Sequence, residues 1–140
     1  MIFDTNSPEE TEALGEKLAC VLRPGTVIAF LGDLGAGKTA FIRGLGAGLQ
    51  VKGAVVSPTF TIVNELQGQR ELFHFDMYRL GSADELFDIG WEDYLSRGGV
   101  CAVEWSENVE DAFDGSEIRV SIKKTGDNSR EITVEGVELC

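Results

Sequence analysis

The sequence predicts an α/β fold with one mixed sheet flanked by helices, parallel at its centre and bordered by antiparallel hairpins. The parallel centre is predicted from an apolar run at 26–31, which a glycine-rich loop and a helical pattern follow. Strand-like segments at 59–63 and 72–75 predict one hairpin, and alternating segments at 118–122 and 132–134 predict another. With 140 residues, 43% of them hydrophobic, we expect a single domain over residues 1–140.

The first element is predicted to be a helix. Ser7 can cap it, Pro8 suits its first turn and Glu10 completes a capping box. Leucines and a valine then recur at helical spacing through residue 22, and Pro and Gly at 23–25 end the pattern.

The loop after the first apolar strand fits the phosphate-binding pattern G-x-x-x-x-G-K-[ST] at every fixed position, from Gly32 to Thr39. Glycines let backbone N–H groups wrap a polyphosphate, and the positive end of the next helix, predicted from Lys38 to about residue 48, faces it. In this pattern the lysine reaches the β- and γ-phosphates and the Thr39 hydroxyl ligates Mg²⁺. We therefore expect a nucleoside triphosphate site in a P-loop NTPase-like domain.

The middle of the chain predicts four short elements. They are helices at 82–87 and 91–95, a buried strand at 99–103 that ends at Glu104, and a helix at 107–113.

The chain is strongly acidic, with a formal net charge of −12, and Arg97 is the one base against ten acids between residues 81 and 114. Such a surface repels phosphate backbones, so strong direct binding of nucleic acid is not expected. The acidic region is either a solvated face or a docking face for a basic partner. The apolar runs are too short to cross a membrane and the start has no signal-peptide pattern, so we expect a cytoplasmic location.

Two acids that follow apolar strands are candidates for chemistry on a bound triphosphate. Asp76 closes one strand and Glu104 closes another, at the edge where α/β sites tend to lie. Triphosphate hydrolysis needs acids that bind Mg²⁺ and a group that orients the attacking water. Acids that follow a strand can also be helix caps or loop residues without a role in catalysis. If a helix begins at Glu104, Glu107 would lie on the same helix face. Alternatively, Glu107 is an ordinary acid of the first helical turn, where the helix dipole stabilises negative charge. His74 is expected to be packed and hydrogen-bonded, with proton transfer as the alternative.

The sequence has no [NT]-K-x-D element of the kind that reads guanine, so ATP is the expected nucleotide. It also has no room for the lid and substrate-binding insertions that small-molecule kinases of this class carry. A compact triphosphatase of this size is expected to act on another protein.

Four motifs in order resemble the TsaE (YjeE) family of bacterial ATPases. They are the phosphate loop at 32–39, SPTF at 57–60, HFDMYR at 74–79 and EWSE at 104–107. The resemblance implies a role in forming threonylcarbamoyladenosine at position 37 of tRNAs that read codons starting with A. It also implies work with a TsaB–TsaD partner pair, in which ATP hydrolysis supports turnover and a partner contacts the tRNA.

The resemblance implies roles for single residues as well. The phosphates would be held by Gly35, Ala36, Gly37, Lys38, Thr39 and Ala40. Mg²⁺ would be bound by Thr39 and Glu104, and hydrolysis would use Lys38, Asp76 and Glu104. Glu107 would contact the nucleotide, and Thr11 falls near it, unless Thr11 is simply a helix-surface threonine. Ser57 and Thr59 would form a loop that senses the γ-phosphate.

Ala40 departs from the family, which commonly has a second threonine at this position. The missing hydroxyl would bind the α-phosphate, and its loss removes a hydrogen bond worth about 0.5–1.5 kcal/mol. We expect weaker nucleotide binding with the metal site intact, because Thr39 remains. Two other functions stay open at this point: a non-enzymatic nucleotide-dependent switch and a small-molecule kinase.

Overall fold

The structure is a computed structural model that describes residues 1–32, 37–53, 55 and 62–139. Within these residues seven strands form one sheet in the order β1-β7-β6-β2-β5-β4-β3. The strands are β1 Ile2–Thr5, β2 Val27–Leu31, β3 Val63–Leu66, β4 Leu72–Asp76, β5 Val100–Glu104, β6 Ile118–Lys124 and β7 Arg130–Glu135. The helices are α1 Pro8–Ala19, α2 Lys38–Gly48, α3 Ala83–Asp88 and α4 Trp91–Ser96, with a 3₁₀ helix at Ser106–Ala112.

The predicted mixed sheet is confirmed. Strand β5 pairs in parallel with β2 and β4, and β2 pairs in parallel with β6. The two predicted hairpins, β3–β4 and β6–β7, are antiparallel. Side chains alternate across the sheet, so β4 and β5 contribute to an apolar cluster on each face, whereas the buried apolar residues of β6 and β7 all belong to one cluster. One cluster packs against α1 and α2, and the other against α3, α4 and the 3₁₀ helix.

Several boundaries differ from the prediction. The hairpin strand expected at 59–63 begins at Val63, because Ile62 has a left-handed φ of 70°; residues 59–61 lie outside the described part of the chain. Helix α1 ends at Ala19 rather than near residue 22. Strand β1 was not predicted, since its sequence of two apolar residues followed by two polar ones shows no alternation.

The start of α1 forms as the capping pattern predicts. The Ser7 hydroxyl accepts a hydrogen bond from the Glu10 N–H at 3.1 Å. The Glu10 carboxylate in turn accepts from the Asn6 N–H at 3.2 Å, one residue before the expected partner. Among the described residues no helix has the length and apolar character needed to span a membrane.

Helices α1 and α2 approach each other through glycines. A Cβ atom on Gly44 would lie 1.9 Å from the Glu12 carbonyl oxygen, and one on Gly15 would lie 2.2 Å from the Phe41 carbonyl oxygen. Both distances are shorter than any real contact, so a side chain at either position would force the helices apart. The glycines therefore hold α2, and with it Lys38, at a defined place on the sheet.

We predict that Gly44→Ala lowers the free energy of unfolding by about 1–3 kcal/mol through this clash, although alanine is the better helix former by about 1 kcal/mol. Gly81→Ala is the matched control, since a Cβ there meets its nearest heavy atom at 3.6 Å, and it should change stability by less than about 0.5 kcal/mol. Urea denaturation measures both variants. Equal stability of Gly44→Ala and the unsubstituted protein would contradict the packing argument.

Candidate functional site

Strand β2 ends at Leu31 and helix α2 begins at Lys38, so the strand and helix predicted to flank the phosphate-loop motif are present. Gly37 caps α2 with a left-handed φ of 101°, a conformation that glycine adopts without strain. Helix α2 then begins at Lys38, so its N-terminal amide groups face the loop. Gly35 and Ala36 belong to the 33–36 segment outside the described residues, as do Ser57 and Thr59.

Lys38 lies almost fully buried at this edge of the sheet, with 5% of its surface exposed. Its Nζ donates a hydrogen bond to the Gly32 carbonyl oxygen at 2.8 Å and lies 4.3 Å from the centre of the Trp105 ring. A carbonyl and an aromatic ring both attract a cation, yet neither carries a full negative charge. Because neither partner neutralises its charge, the ammonium group remains able to bind an anionic oxygen.

Asp76 and Glu104 lie directly opposite each other at the ends of β4 and β5. Each is 5% exposed. One Asp76 oxygen accepts a hydrogen bond from the Tyr78 N–H at 3.0 Å, and the Met77 N–H donates to the Glu104 carbonyl at 3.0 Å. Because β5 also pairs with β2, the structure brings both predicted acids to the edge of the sheet where the phosphate loop begins.

His74 is packed and hydrogen-bonded, as predicted. It is fully buried, and its Nε2 lies 2.6 Å from Oε2 of Glu104. The histidine is two residues before Asp76 on β4, so both side chains share a face of the sheet.

Glu107 does not share a helix face with Glu104. Glu104 ends a strand, Trp105 follows with a left-handed φ of 56°, and the 3₁₀ helix begins only at Ser106. Glu107 is exposed in the first turn of that helix. The buried Ser106 hydroxyl donates to the Phe30 carbonyl at 3.0 Å, which ties this turn to β2.

Thr11 is not a surface threonine: it is 2% exposed, and its hydroxyl lies 2.8 Å from that of Thr5. It borders a small cavity beside the start of α2. The residues that line the cavity are Pro8, Thr11, Gly37, Ala40, Asn128 and Arg130. Thr39 and Ala40, in the first turn of α2, are half-buried.

Sequence reasoning missed Asn128 and Arg130 at this cavity. The Arg130 side chain passes Gly37, where an added Cβ would lie 3.4 Å from its Nε. Its Nη1 donates to the carbonyl oxygens of Ser129 and Gly126 at 2.9 and 3.1 Å. The sequence predicts the hairpin that carries these two residues, but only the pairing of β6 with β2 shows that its turn lies beside the start of α2.

The side chains at this edge fit Mg²⁺ bound together with a nucleotide. Thr39 offers a hydroxyl and Asp76 and Glu104 offer carboxylates, which are the oxygen ligands this ion prefers. No group of three or more His, Cys, Asp or Glu side chains suited to hold a metal alone occurs in the part of the chain that the structure describes. Nucleotide sites do not require one, because one or two carboxylates and the phosphates complete the shell.

Cys101 lies on β5 with its side chain on the opposite face of the sheet, away from the two acids. Burial raises the pKa of its thiol to about 12. A thiol with such a pKa stays protonated near neutral pH, so Cys101 is a packing residue here.

A parallel strand that ends at a phosphate loop, a helix that begins at the loop lysine and two buried acids on adjacent strands define a P-loop nucleotide-binding protein. The family model described as threonylcarbamoyl adenosine biosynthesis protein TsaE matches residues 5–132. The chain belongs to the TsaE family, which confirms the resemblance seen in the sequence.

Individual relatives agree with the family assignment. The tRNA threonylcarbamoyladenosine biosynthesis protein TsaE of Bacillus subtilis is 42% identical over 134 residues, which covers 95% of this chain and 84% of that protein. The protein of the same name from Treponema pallidum is 37% identical over 130 residues, covering 93% and 96%. The crystal structure of Bacillus subtilis YdiB superposes with a TM-score of 0.82 at 37% identity, covering 96% and 83%.

We predict that Ser106→Ala lowers the free energy of unfolding by about 1 kcal/mol, because a buried hydrogen bond to the Phe30 carbonyl is lost. Ser96→Ala is the matched control: its hydroxyl also donates to a carbonyl, that of Asp93, but in an exposed turn. Its effect should stay within about 0.5 kcal/mol. Guanidinium denaturation of the two variants gives the comparison, and equal losses would show that burial of the Ser106 bond is unimportant.

Proposed function

We propose that this chain is a Mg²⁺-dependent ATPase that supports formation of threonylcarbamoyladenosine at position 37 of tRNAs reading codons that start with A. It would act as a single domain in the cytoplasm, together with a TsaB–TsaD partner pair. The observation that carries the proposal is the placement of Lys38, Asp76 and Glu104 at one edge of the sheet in a chain of the TsaE family.

Lys38 would exchange its contacts with the Gly32 carbonyl and the Trp105 ring for oxygens of the β- and γ-phosphates. Its near-complete burial favours this exchange, because electrostatic attraction is stronger away from water. Gly35, Ala36, Gly37 and the first amides of α2 would hold the remaining phosphate oxygens. These groups stabilise the charge that spreads over the phosphoryl oxygens during transfer.

The Thr39 hydroxyl and the Glu104 carboxylate would hold Mg²⁺ at the phosphates. When bound, the ion supplies positive charge that offsets the charge of the phosphates. Asp76, opposite Glu104 in the sheet register, would accept a hydrogen bond from the attacking water or from a water in the metal shell. Its own bond from the Tyr78 N–H keeps the carboxylate oriented for either role.

The cavity beside the start of α2 would receive the rest of the nucleotide. Thr11, Ala40, Asn128 and Arg130 line it, and Arg130 would add positive charge close to the phosphates. Glu107, exposed in the 3₁₀ helix that follows Glu104, would also contact the nucleotide.

The charge distribution supports a role through partner proteins rather than through strong tRNA contact. The excess of acids between residues 81 and 114 belongs mainly to α3, α4 and the 3₁₀ helix, where most of these acids are exposed. A phosphate backbone is repelled by such a surface. The tRNA contact therefore falls to the partner pair.

The first test measures Mg-ATP hydrolysis by the chain alone and with purified TsaB and TsaD. We predict slow turnover alone, stimulation by the pair, and a loss of about 100-fold or more in Lys38→Ala. Lys17→Ala, which removes an exposed lysine of α1, should retain the stimulated rate. Nucleotide binding without turnover in both settings would favour the non-enzymatic switch, and equal turnover in Lys38→Ala would refute the site.

We predict that Ala40→Thr strengthens binding of ADP about 2- to 12-fold, which corresponds to one added hydrogen bond of about 0.5–1.5 kcal/mol to the α-phosphate. Ala47→Thr is the control, because Ala47 is exposed near the end of the same helix. Isothermal titration calorimetry measures both affinities. An unchanged affinity in Ala40→Thr would show that residue 40 does not face the α-phosphate.

A further inference from the structure

His74 lies beneath the two acids of the site as a completely buried imidazole. Its register partner on β5 is Ala102, and Glu104 is two residues further along the same strand. Because side chains alternate, His74, Asp76, Ala102 and Glu104 all share the face that packs on α1 and α2. The small Ala102 side chain leaves room for the ring to reach diagonally to Glu104, a neighbour that long side chains can contact in a sheet.

The hydrogen bond between the two residues has a defined direction. An ionised carboxylate can only accept, so Nε2 of His74 carries the hydrogen and donates it to Oε2 of Glu104 at 2.6 Å. The other ring nitrogen, Nδ1, is buried and has no hydrogen-bond partner among the residues that the structure describes. A buried unpaired nitrogen costs free energy, which an apolar side chain at this position would avoid.

The bond to Glu104 engages one carboxylate oxygen and leaves Oε1 as the oxygen for another ligand. It also restricts the rotation of a side chain that would otherwise have three flexible dihedral angles. Ligating carboxylates in metal sites are commonly held in this way by a hydrogen-bonded neighbour, which fixes the geometry that the metal meets.

We propose that His74 is a positioning residue, which orients the Glu104 carboxylate to bind the Mg²⁺ that accompanies the nucleotide. The inference rests on the proposed function, because it takes Glu104 as a metal ligand. His74 itself contacts neither the metal nor the nucleotide. Its loss therefore weakens metal binding while the phosphate contacts of Lys38 and of the loop persist.

Three substitutions of His74 distinguish a role in positioning Glu104 from a role in packing the core. His74→Gln places an amide N–H close to where the imidazole Nε2 lies, whereas the shorter His74→Asn does not reach Glu104. His74→Leu fills the space and removes the donor. Cys101→Ala is the control for loss of buried packing, since it changes the neighbouring strand on the opposite face.

The readout is Mn²⁺ affinity, measured by electron paramagnetic resonance with a non-hydrolysable ATP analogue, with metal-free nucleotide affinity measured in EDTA. We expect His74→Leu and His74→Asn to weaken Mn²⁺ binding about 10- to 100-fold. His74→Gln should recover most of the loss, and Cys101→Ala should bind Mn²⁺ normally. Metal-free nucleotide affinity should be the same in all folded variants.

Two results would overturn the inference: normal Mn²⁺ affinity in His74→Leu, or equal affinities in His74→Gln and His74→Asn. If His74→Leu does not fold, as judged by thermal melting, the comparison of the two amides decides. A failure of the proposed function is recognised separately in the unsubstituted protein: a wrong nucleotide site would bind neither the analogue nor Mn²⁺ with it, and a wrong ATPase assignment would leave both bound without turnover of ATP.

Discussion

The site depends on the pairing of β5 in parallel with both of its neighbours, β2 and β4. Parallel strands end at the same edge, so residues far apart in the chain, Gly32, Asp76 and Glu104, meet there. Strand β5 is fully buried, and its apolar side chains pack on helices at both faces of the sheet. A shift of β5 by one residue would turn Glu104 to the other face and separate it from His74.

Local patterns in the sequence predict much of this arrangement. The strand before the motif and the helix that begins at Lys38 form where the motif places them, and both acids lie at strand ends, because these features depend on neighbouring residues alone. The missed features depend on distant pairing: Arg130 reaches the loop only because β6 pairs with β2. Of the two alternatives for Glu107, the first-turn position forms and the face shared with Glu104 does not, because the left-handed turn at Trp105, which has no sequence signal comparable to a glycine, separates the two acids.

Electrostatics explains why an acidic chain can carry a site for a polyphosphate. Lys38, Arg130 and the N-terminus of α2 concentrate positive potential at one edge, while most of the acidic excess lies on α3, α4 and the 3₁₀ helix. The two buried carboxylates at the same edge oppose this potential and repel a nucleotide that arrives without a counterion. On the proposed function, this arrangement would favour a nucleotide accompanied by a divalent cation over the nucleotide alone.

The pairing of β1 with β7 has a consequence for synthesis of the protein. The first strand of the chain forms its hydrogen bonds with the last one, from Ile2–Thr133 to Thr5–Arg130. A nascent chain that has not yet emerged beyond Arg130 lacks this edge of the sheet and one wall of the cavity that Thr11 borders. Contacts of such large sequence separation form slowly, and this cavity can be complete only after the chain has emerged from the ribosome as far as β7.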